Sequence, residues 1–311
     1  METSANDQPP HTMNQRTEDA FRADIVEVGR RMYARGYVAS NDGNISIRID
    51  DNEILTTPKS VSKGFMTPDM CVVVDLSGKK IRGARDASSE LLMHLEVYKN
   101  RPDARAVVHA HPPTATGFAV AGIPLDRAVL AEVVTTLGSI PIAEYGTPST
   151  PELPEAVRKY IKAHDGLLLA NHGALTVAGD VFAAYYKMET IEHFAKISLV
   201  ARQLGREHLL SREEVERLQG LRGNYGIAAP APICADEGVP HSESDPVSCQ
   251  TIHAPASLTS GTSAGGAPSS PGARLIPTDP SDVNGEIRLS YRELTALIED
   301  AVKALLGGQH G

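Results

Sequence analysis

The sequence predicts an α/β domain followed by a compositionally distinct tail. Three observations carry that prediction. Segments whose apolar residues recur at helical spacing alternate with short β-branched runs. Apolar residues make up 41% of a 311-residue chain, enough for a sizeable buried core. The composition then shifts abruptly after position 225. Aromatic residues reach only 5% and tryptophan is absent, so the core must be aliphatic.

Residues 1–16 are polar and are expected to be a disordered lead-in. Thr17 offers an N-cap, and Phe21, Ile25, Val28 and Met32 follow at helical spacing until Gly36. ISIRI (45–49), EILTT (53–57) and CVVVDL (71–76) read as short strands separated by turn residues. SSELLMHLEVYKN (88–100) reads as a helix starting at a serine cap, ARAVVHAH (104–111) as a strand and PELPEAVRKYIKAH (151–164) as a helix. GLLLANHGALTV (166–177) is expected to be one strand, and a long amphipathic helix over about 181–205 closes the unit. This body spans 17–225.

From 226 to 288 there is neither an aromatic residue nor a lysine, and Pro, Gly, Ser and Ala dominate. Such a segment cannot bury enough apolar surface to offset its conformational entropy, which predicts a flexible linker. Residues 289–308, LSYRELTALIEDAVKALLGG, carry a capping box at Ser290 and Glu293. They also carry one apolar stripe through Leu294, Leu297, Ile298, Ala301, Val302 and Leu305. A short amphipathic helix is expected there.

The net charge of −9 argues against a nucleic-acid or anionic-membrane surface. The polar face of 289–308 balances Glu293, Glu299 and Asp300 against Arg292 and Lys303, so it too lacks the basic character of a membrane-surface helix. The N-terminal stretch lacks the order of a secretory signal, and no apolar run approaches the roughly 18 residues of a membrane span. Cys71, Cys234 and Cys249 are odd in number and contain no CxxC pair. They predict a reducing compartment and no disulfide framework, hence a soluble, cytoplasmic protein.

Two histidines, His109 and His111, stand one residue apart behind an apolar run. On a strand, side chains two residues apart share a face, so both imidazoles can turn to one ion. His172 breaks a second apolar stretch beside a glycine, and Glu90 opens a helix. Three imidazoles and a carboxylate suit Zn²⁺. Taken by spacing alone, each histidine could equally be satisfied by a backbone carbonyl, and Glu90 could serve only the helix terminus.

The ordered series GNISIR (43–48), SSELLMHLEVYKNRPDARAVVHAHPP (88–113), EYGTPSTPEL (144–153) and LLLANHGAL (167–175) resembles the class II aldolase/adducin family, and within it the fuculose-phosphate aldolases. The resemblance covers 17–225. It implies a three-layer α/β/α domain with a central, mainly antiparallel sheet, assembled as a homotetramer. It implies zinc ligands at His109, His111 and His172, with Glu90 as the fourth ligand and as the group that shuttles a proton at the dihydroxyacetone-phosphate carbon. Non-enzymatic, adducin-head-like scaffold members generally lack that ligand set, so the resemblance favours an enzyme, a lyase. The family's phosphate site falls on Gly43, Asn44, Ser46, Ser88 and Ser89, in a turn and a helix start suited to anions.

The sequence departs from the pattern twice. TPKSVSKG places Lys59 and Ser60 where relatives have a Thr-Gly or Ser-Gly pair; both join the expected phosphate-binding residues, with Lys59 as a candidate counter-charge and Lys63 as a second basic candidate nearby. A partner-subunit tyrosine that acts on the aldehyde oxygen in bacterial relatives falls near Leu130, where Glu132, the ionisable side chain nearby, or water is the expected replacement. The expected reaction is cleavage of L-fuculose or L-rhamnulose 1-phosphate to dihydroxyacetone phosphate and lactaldehyde. A pentulose-5-phosphate 4-epimerase and a sugar-phosphate dehydratase are the enzymatic alternatives on the same fold. The linker and terminal helix resemble the encapsulation peptides of bacterial microcompartment cargo, which implies a shell-protein partner for 289–308 and a location in such a lumen.

Overall fold

The computed structural model describes residues 17–225, 227, 230–234 and 249–252. The 1–16 segment, most of the expected linker and the stretch 289–308 lie outside the described residues.

Helix α1 (Glu18–Ala34) starts where the sequence places it: Thr17 accepts a hydrogen bond from Ala20 N, and Ile25, Val28 and Met32 face the core. Strands β1 (Asn44–Asp50), β2 (Glu53–Thr56), β3 (Val72–Val74) and β4 (Lys80–Arg82) form an antiparallel run, followed by helix α2 (Leu91–Asn100). Next come β5 (Ala106–Ala110), α3 (Pro113–Val120), α4 (Ala131–Thr136), β6 (Ile142–Ala143) and α5 (Glu152–Arg158). Strands β7 (Gly166–Leu169) and β8 (Gly173–Ala178) lead into the long α6 (Val181–Gln203) and the capping-box helix α7 (Arg212–Gln219).

The strands make one mixed sheet of order β4-β3-β2-β1-β5-β8-β7-β6, antiparallel except for the β6–β7 pair. Alternate strand positions feed two apolar clusters. Ala106, Val108 and Ala110 join Ile25 and Met32 of α1 and Met188 and Phe194 of α6. Val107, Leu175 and Val177 join Leu95 of α2 and Val157 of α5. No described helix is long and apolar enough to cross a membrane.

The structure differs from the sequence reading in four places. The stretch 166–177 is two antiparallel strands, because Asn171 turns the chain with φ 54° and leaves His172 outside the ladder. The helix expected over 151–164 ends at Arg158. Helix α2 begins after Glu90 rather than at the serines; Ser88 Oγ accepts from Glu90 N and Glu90 itself is the non-helical cap residue.

The fourth difference concerns the cysteines and the linker. Cys234 and Cys249 form a disulfide, while Cys71 is free and buried. Around that bond, Ile233 pairs with Gln250 and Thr251 pairs with Arg127, and Gln250 is buried. Ile233 and Ile252 pack on Ala128, Val134 and Val215. The expected 226–288 linker therefore contributes two short pieces to the body. Average composition conceals them, because two isoleucines and a cross-link suffice locally where the mean hydropathy of the whole stretch does not. A disulfide at a sequence separation of 15 should contribute about 3 kcal/mol through loop closure. Treatment with a dithiol reductant is expected to lower the urea midpoint and to expose 230–234 and 249–252 to protease. Equal midpoints with and without reductant would show that the packing, not the bond, holds this strap.

Candidate metal centre and adjoining cleft

The sheet register brings the three histidines together. His109 lies in β5, paired with Asn44 of β1 on one side and Leu175 of β8 on the other. His111 is two residues further on, on the same side, with its backbone N–H donating to Tyr37 O. The turn before β8 delivers His172 from the neighbouring strand. One ligand nitrogen from each imidazole lies within 4.8 Å of the others.

Close backbone approaches set these positions. A Cβ on Gly43 would stand 2.6 Å from Val38 and 2.8 Å from the His109 carbonyl, and its φ is +70°. A Cβ on Gly173 would stand 2.5 Å from Ala110 O and 2.6 Å from the His111 ring. Both positions accept only glycine without displacement of a histidine-bearing strand.

Hydrogen-bond partners assign the tautomers. His109 Nδ1 donates to Ala174 O at 2.9 Å, which leaves Nε2 as a lone pair. His111 Nδ1 faces Asp42 Oδ2 at 3.4 Å, so its proton belongs on that side. The two Nε2 atoms then face each other at 3.1 Å. Lone pairs so placed repel unless a cation lies between them. Glu90 completes the set, its Oε1 3.0 Å from His172 Nε2 and its Oε2 3.4 Å from His109 Nε2. Asn44 Nδ2 donates to Glu90 Oε2 at 2.7 Å, which orients the carboxylate.

Burial pushes the His109 and His111 imidazoles below their ordinary range, so both are neutral and able to ligate. Burial acts to raise Glu90, but hydrogen bonds from His172 and Asn44 oppose it and hold the carboxyl below the usual range. Neutral imidazole nitrogens converging with an ionised carboxylate are the donor set of a divalent transition-metal site, and the residues present fit one.

Beside the triad a cleft of about 240 Å³ is lined by Gly43, Asn44, Lys59, Ser60, Ser88 and Ser89, together with Glu90 and His111. Six of the seven residues expected to hold phosphate thus come together. Ser46 does not: it is fully buried one step further into β1, beneath α2, bonding His94 Nδ1 at 2.7 Å and Tyr98 Oη at 2.8 Å. Glu132, exposed on α4, opens onto a different cleft with Arg35, Tyr37, Glu192 and Lys196. Within one chain it does not meet the triad. The sequence reading missed Asp42, whose only signal was its place before Gly43 and Asn44, and it missed the Ala174 carbonyl, which no residue identity can reveal.

His94, behind Ser46, has Nδ1 satisfied, while Nε2 has no partner among the described residues. Burial holds it at about 4 rather than 6.5. The unfolded chain therefore binds this proton first, so stability is intact above pH 6.5 and is lost as pH falls towards 4, by about 3 kcal/mol. Urea unfolding between those limits should show this slope, and His94→Gln should flatten it. An unchanged slope would mean that another group carries the acid sensitivity.

A family profile described as "Class II Aldolase and Adducin N-terminal domain" matches residues 23–199. The chain is 35% identical over 181 residues to an "L-fuculose phosphate aldolase" of Methanococcus maripaludis, covering 58% of this chain and 97% of that one. It is 32% identical to a "5-deoxy-D-ribulose 1-phosphate aldolase" of Bacillus thuringiensis, covering 66% and 96%. It is 31% identical to a "3-oxo-tetronate 4-phosphate decarboxylase" of Pectobacterium atrosepticum, covering 59% and 86%. A solved "L-fuculose 1-phosphate aldolase" superposes with a TM-score of 0.63 at 28% identity, covering 69% of this chain and 100% of the other.

Proposed function

Because the chain belongs to the class II aldolase and adducin family, and is on that footing a lyase with a three-histidine metal site, we propose that it cleaves a 6-deoxyketose 1-phosphate. The substrate is of the L-fuculose or L-rhamnulose type, the metal is zinc, and the products are dihydroxyacetone phosphate and lactaldehyde. The observation that carries this reading is the Glu90–triad cluster set directly against a cleft lined by hydroxyls and lysines. Relatives named for fuculose phosphate and 5-deoxyribulose 1-phosphate support a ketose whose far end is deoxygenated.

A zinc ion bound by His109, His111 and His172 would supply Lewis-acid charge to the oxygens of the ketose as an enediolate develops. Ser88, Ser89, Gly43 and Asn44 bind and orient the phosphate, which fixes the reacting carbons beside Glu90. The C3–C4 bond breaks with its electron pair left on C3. The C4 hydroxyl loses its proton and becomes the aldehyde oxygen, and Glu90, ionised at rest, takes up a proton from water and passes it to C3. The hydroxyl proton is assigned to Glu132 of a second copy, since its own chain keeps it away from the triad. That assignment makes the active unit an oligomer, a homotetramer on the family pattern. The amphipathic stripe in 289–308 supports a further role as microcompartment cargo, with a shell protein as its partner.

The test is incubation of purified full-length protein with L-fuculose 1-phosphate and with L-rhamnulose 1-phosphate, with and without chelator, measuring dihydroxyacetone phosphate. Chelator-sensitive release from either supports the reading; no release from metal-loaded protein rejects it. The relative named a decarboxylase, and the absence of Glu132 from the triad's cleft in its own chain, favour a second reading: decarboxylation of a phosphorylated 3-oxo acid, which needs no base on an aldehyde oxygen. Carbon dioxide release from such a substrate separates the two.

A further inference from the structure

Lys63 sits in a short helical turn, Lys63–Phe65, packed against α1, where Gly29 and Gly64 permit the contact. A Cβ on Gly29 would approach the Lys63 carbonyl to 2.8 Å, and one on Gly64 the Tyr33 ring to 2.5 Å. The turn is therefore fixed before any ligand arrives. The lysine is only 2% exposed, yet it lines the same cleft as Ser60, Ser88 and Ser89. Its ammonium donates to Asn41 O at 2.9 Å and Val61 O at 2.8 Å. Two carbonyls account for two of its three N–H groups, and no carboxylate of the described residues forms an ion pair with it.

An ammonium buried without a counter-ion costs several kcal/mol. Burial accordingly pulls Lys63 down to about 8, although Asp42 and Glu90 act in the opposite direction. Lys59, by contrast, is exposed, where water satisfies its charge and a bound anion gains less from it. The Ser88 backbone N–H is already spent on Thr57 O, so that serine has only its hydroxyl to give an anion. The cleft thus holds one desolvated ammonium that forms no ion pair with either carboxylate lining it, Asp42 or Glu90.

We propose that Lys63, rather than Lys59, is the counter-charge for the substrate phosphate, and so the residue that makes the cleft select phosphorylated over unphosphorylated ketoses. The proposal rests on the reading of this cleft as a sugar-phosphate site. A charge-assisted hydrogen bond of this kind is worth about 1.5–3 kcal/mol, which is about 10- to 100-fold in affinity.

The experiment is calorimetric titration of inorganic phosphate into full-length, metal-loaded protein, comparing wild type, Lys63→Gln and Lys59→Met. Glutamine keeps donors for the Asn41 and Val61 carbonyls while removing the charge, and Lys63→Arg restores the charge where the glutamine variant melts early. Metal content is measured for each. At wild-type metal content, Lys63→Gln should weaken phosphate binding by at least tenfold, with a smaller loss for Lys59→Met. It should also raise KM for the phosphorylated substrate more than it changes kcat. Unchanged phosphate affinity in Lys63→Gln, or a larger loss in Lys59→Met, overturns the proposal. Wild-type protein that binds no phosphate overturns it together with the sugar-phosphate reading. Phosphate binding lost in Lys63→Gln, from a wild type that cleaves no ketose phosphate, supports Lys63 and rejects only the aldolase reading.

Discussion

Replacing His111 with alanine is expected to empty the metal site and lower cleavage by more than about 10³-fold, the factor that several kcal/mol of lost charge stabilisation implies. His109→Ala should have the same effect on metal and a larger one on stability. The reason lies in their surroundings. His109 is fully buried and holds the Ala174 carbonyl, so its removal leaves a cavity and an unpaired acceptor. The His111 side chain is 26% exposed and faces the cleft, so water can fill the space it leaves. Metal analysis with chelator competition, beside an assay for dihydroxyacetone phosphate, gives the first comparison, and urea unfolding gives the second. A His111→Ala protein that keeps a full complement of tightly held metal would show that the triad is not the ligand set.

The second large effect is expected from a single methyl group. Gly173→Ala places a Cβ against Ala110 O at 2.5 Å and the His111 ring at 2.6 Å. One obstacle is backbone in the β5–β8 ladder, which cannot swing aside. The substitution must therefore separate the strands or turn the His111 ring, at a cost of about 1–3 kcal/mol. Displacing a ligand by a fraction of an ångström should lower metal affinity about 10- to 100-fold, as loss of an orienting contact does. Chelator competition and thermal melting check both halves. Wild-type metal affinity in Gly173→Ala would show that the ring rotates freely, and that the glycine serves the strand alone.

Much of this site is legible before any coordinates. The i,i+2 spacing of His109 and His111 needs only the period of a strand, and the serine pair before Glu90 needs only the chemistry of a helix start. Ser46 shows where that legibility stops. It shares a strand face with Asn44, but the cleft ends at the strand terminus, and helix α2 covers the next position. Local pattern fixes which face a side chain takes, not what covers it. Lys59 and Lys63 were likewise equivalent as basic residues near one motif. Burial separates them, and burial is set by α1, about thirty residues upstream.

By itself, the sequence determined helices α1, α2, α5 and α6 and strands β1, β2, β3 and β5 in their order, the aliphatic core and the histidine pair, because these follow from periodicity and composition over short windows. The tertiary structure decided the rest. The turn at Asn171 splits the expected strand and presents His172 across the ladder from His109. The disulfide draws two pieces of an apparently featureless segment onto the body. The β1–β5–β8 register closes Glu90, Asn44 and the three imidazoles around one point. Each of these depends on contacts between residues dozens of positions apart, whose energies arise only when the chain has folded, and no local window contains them.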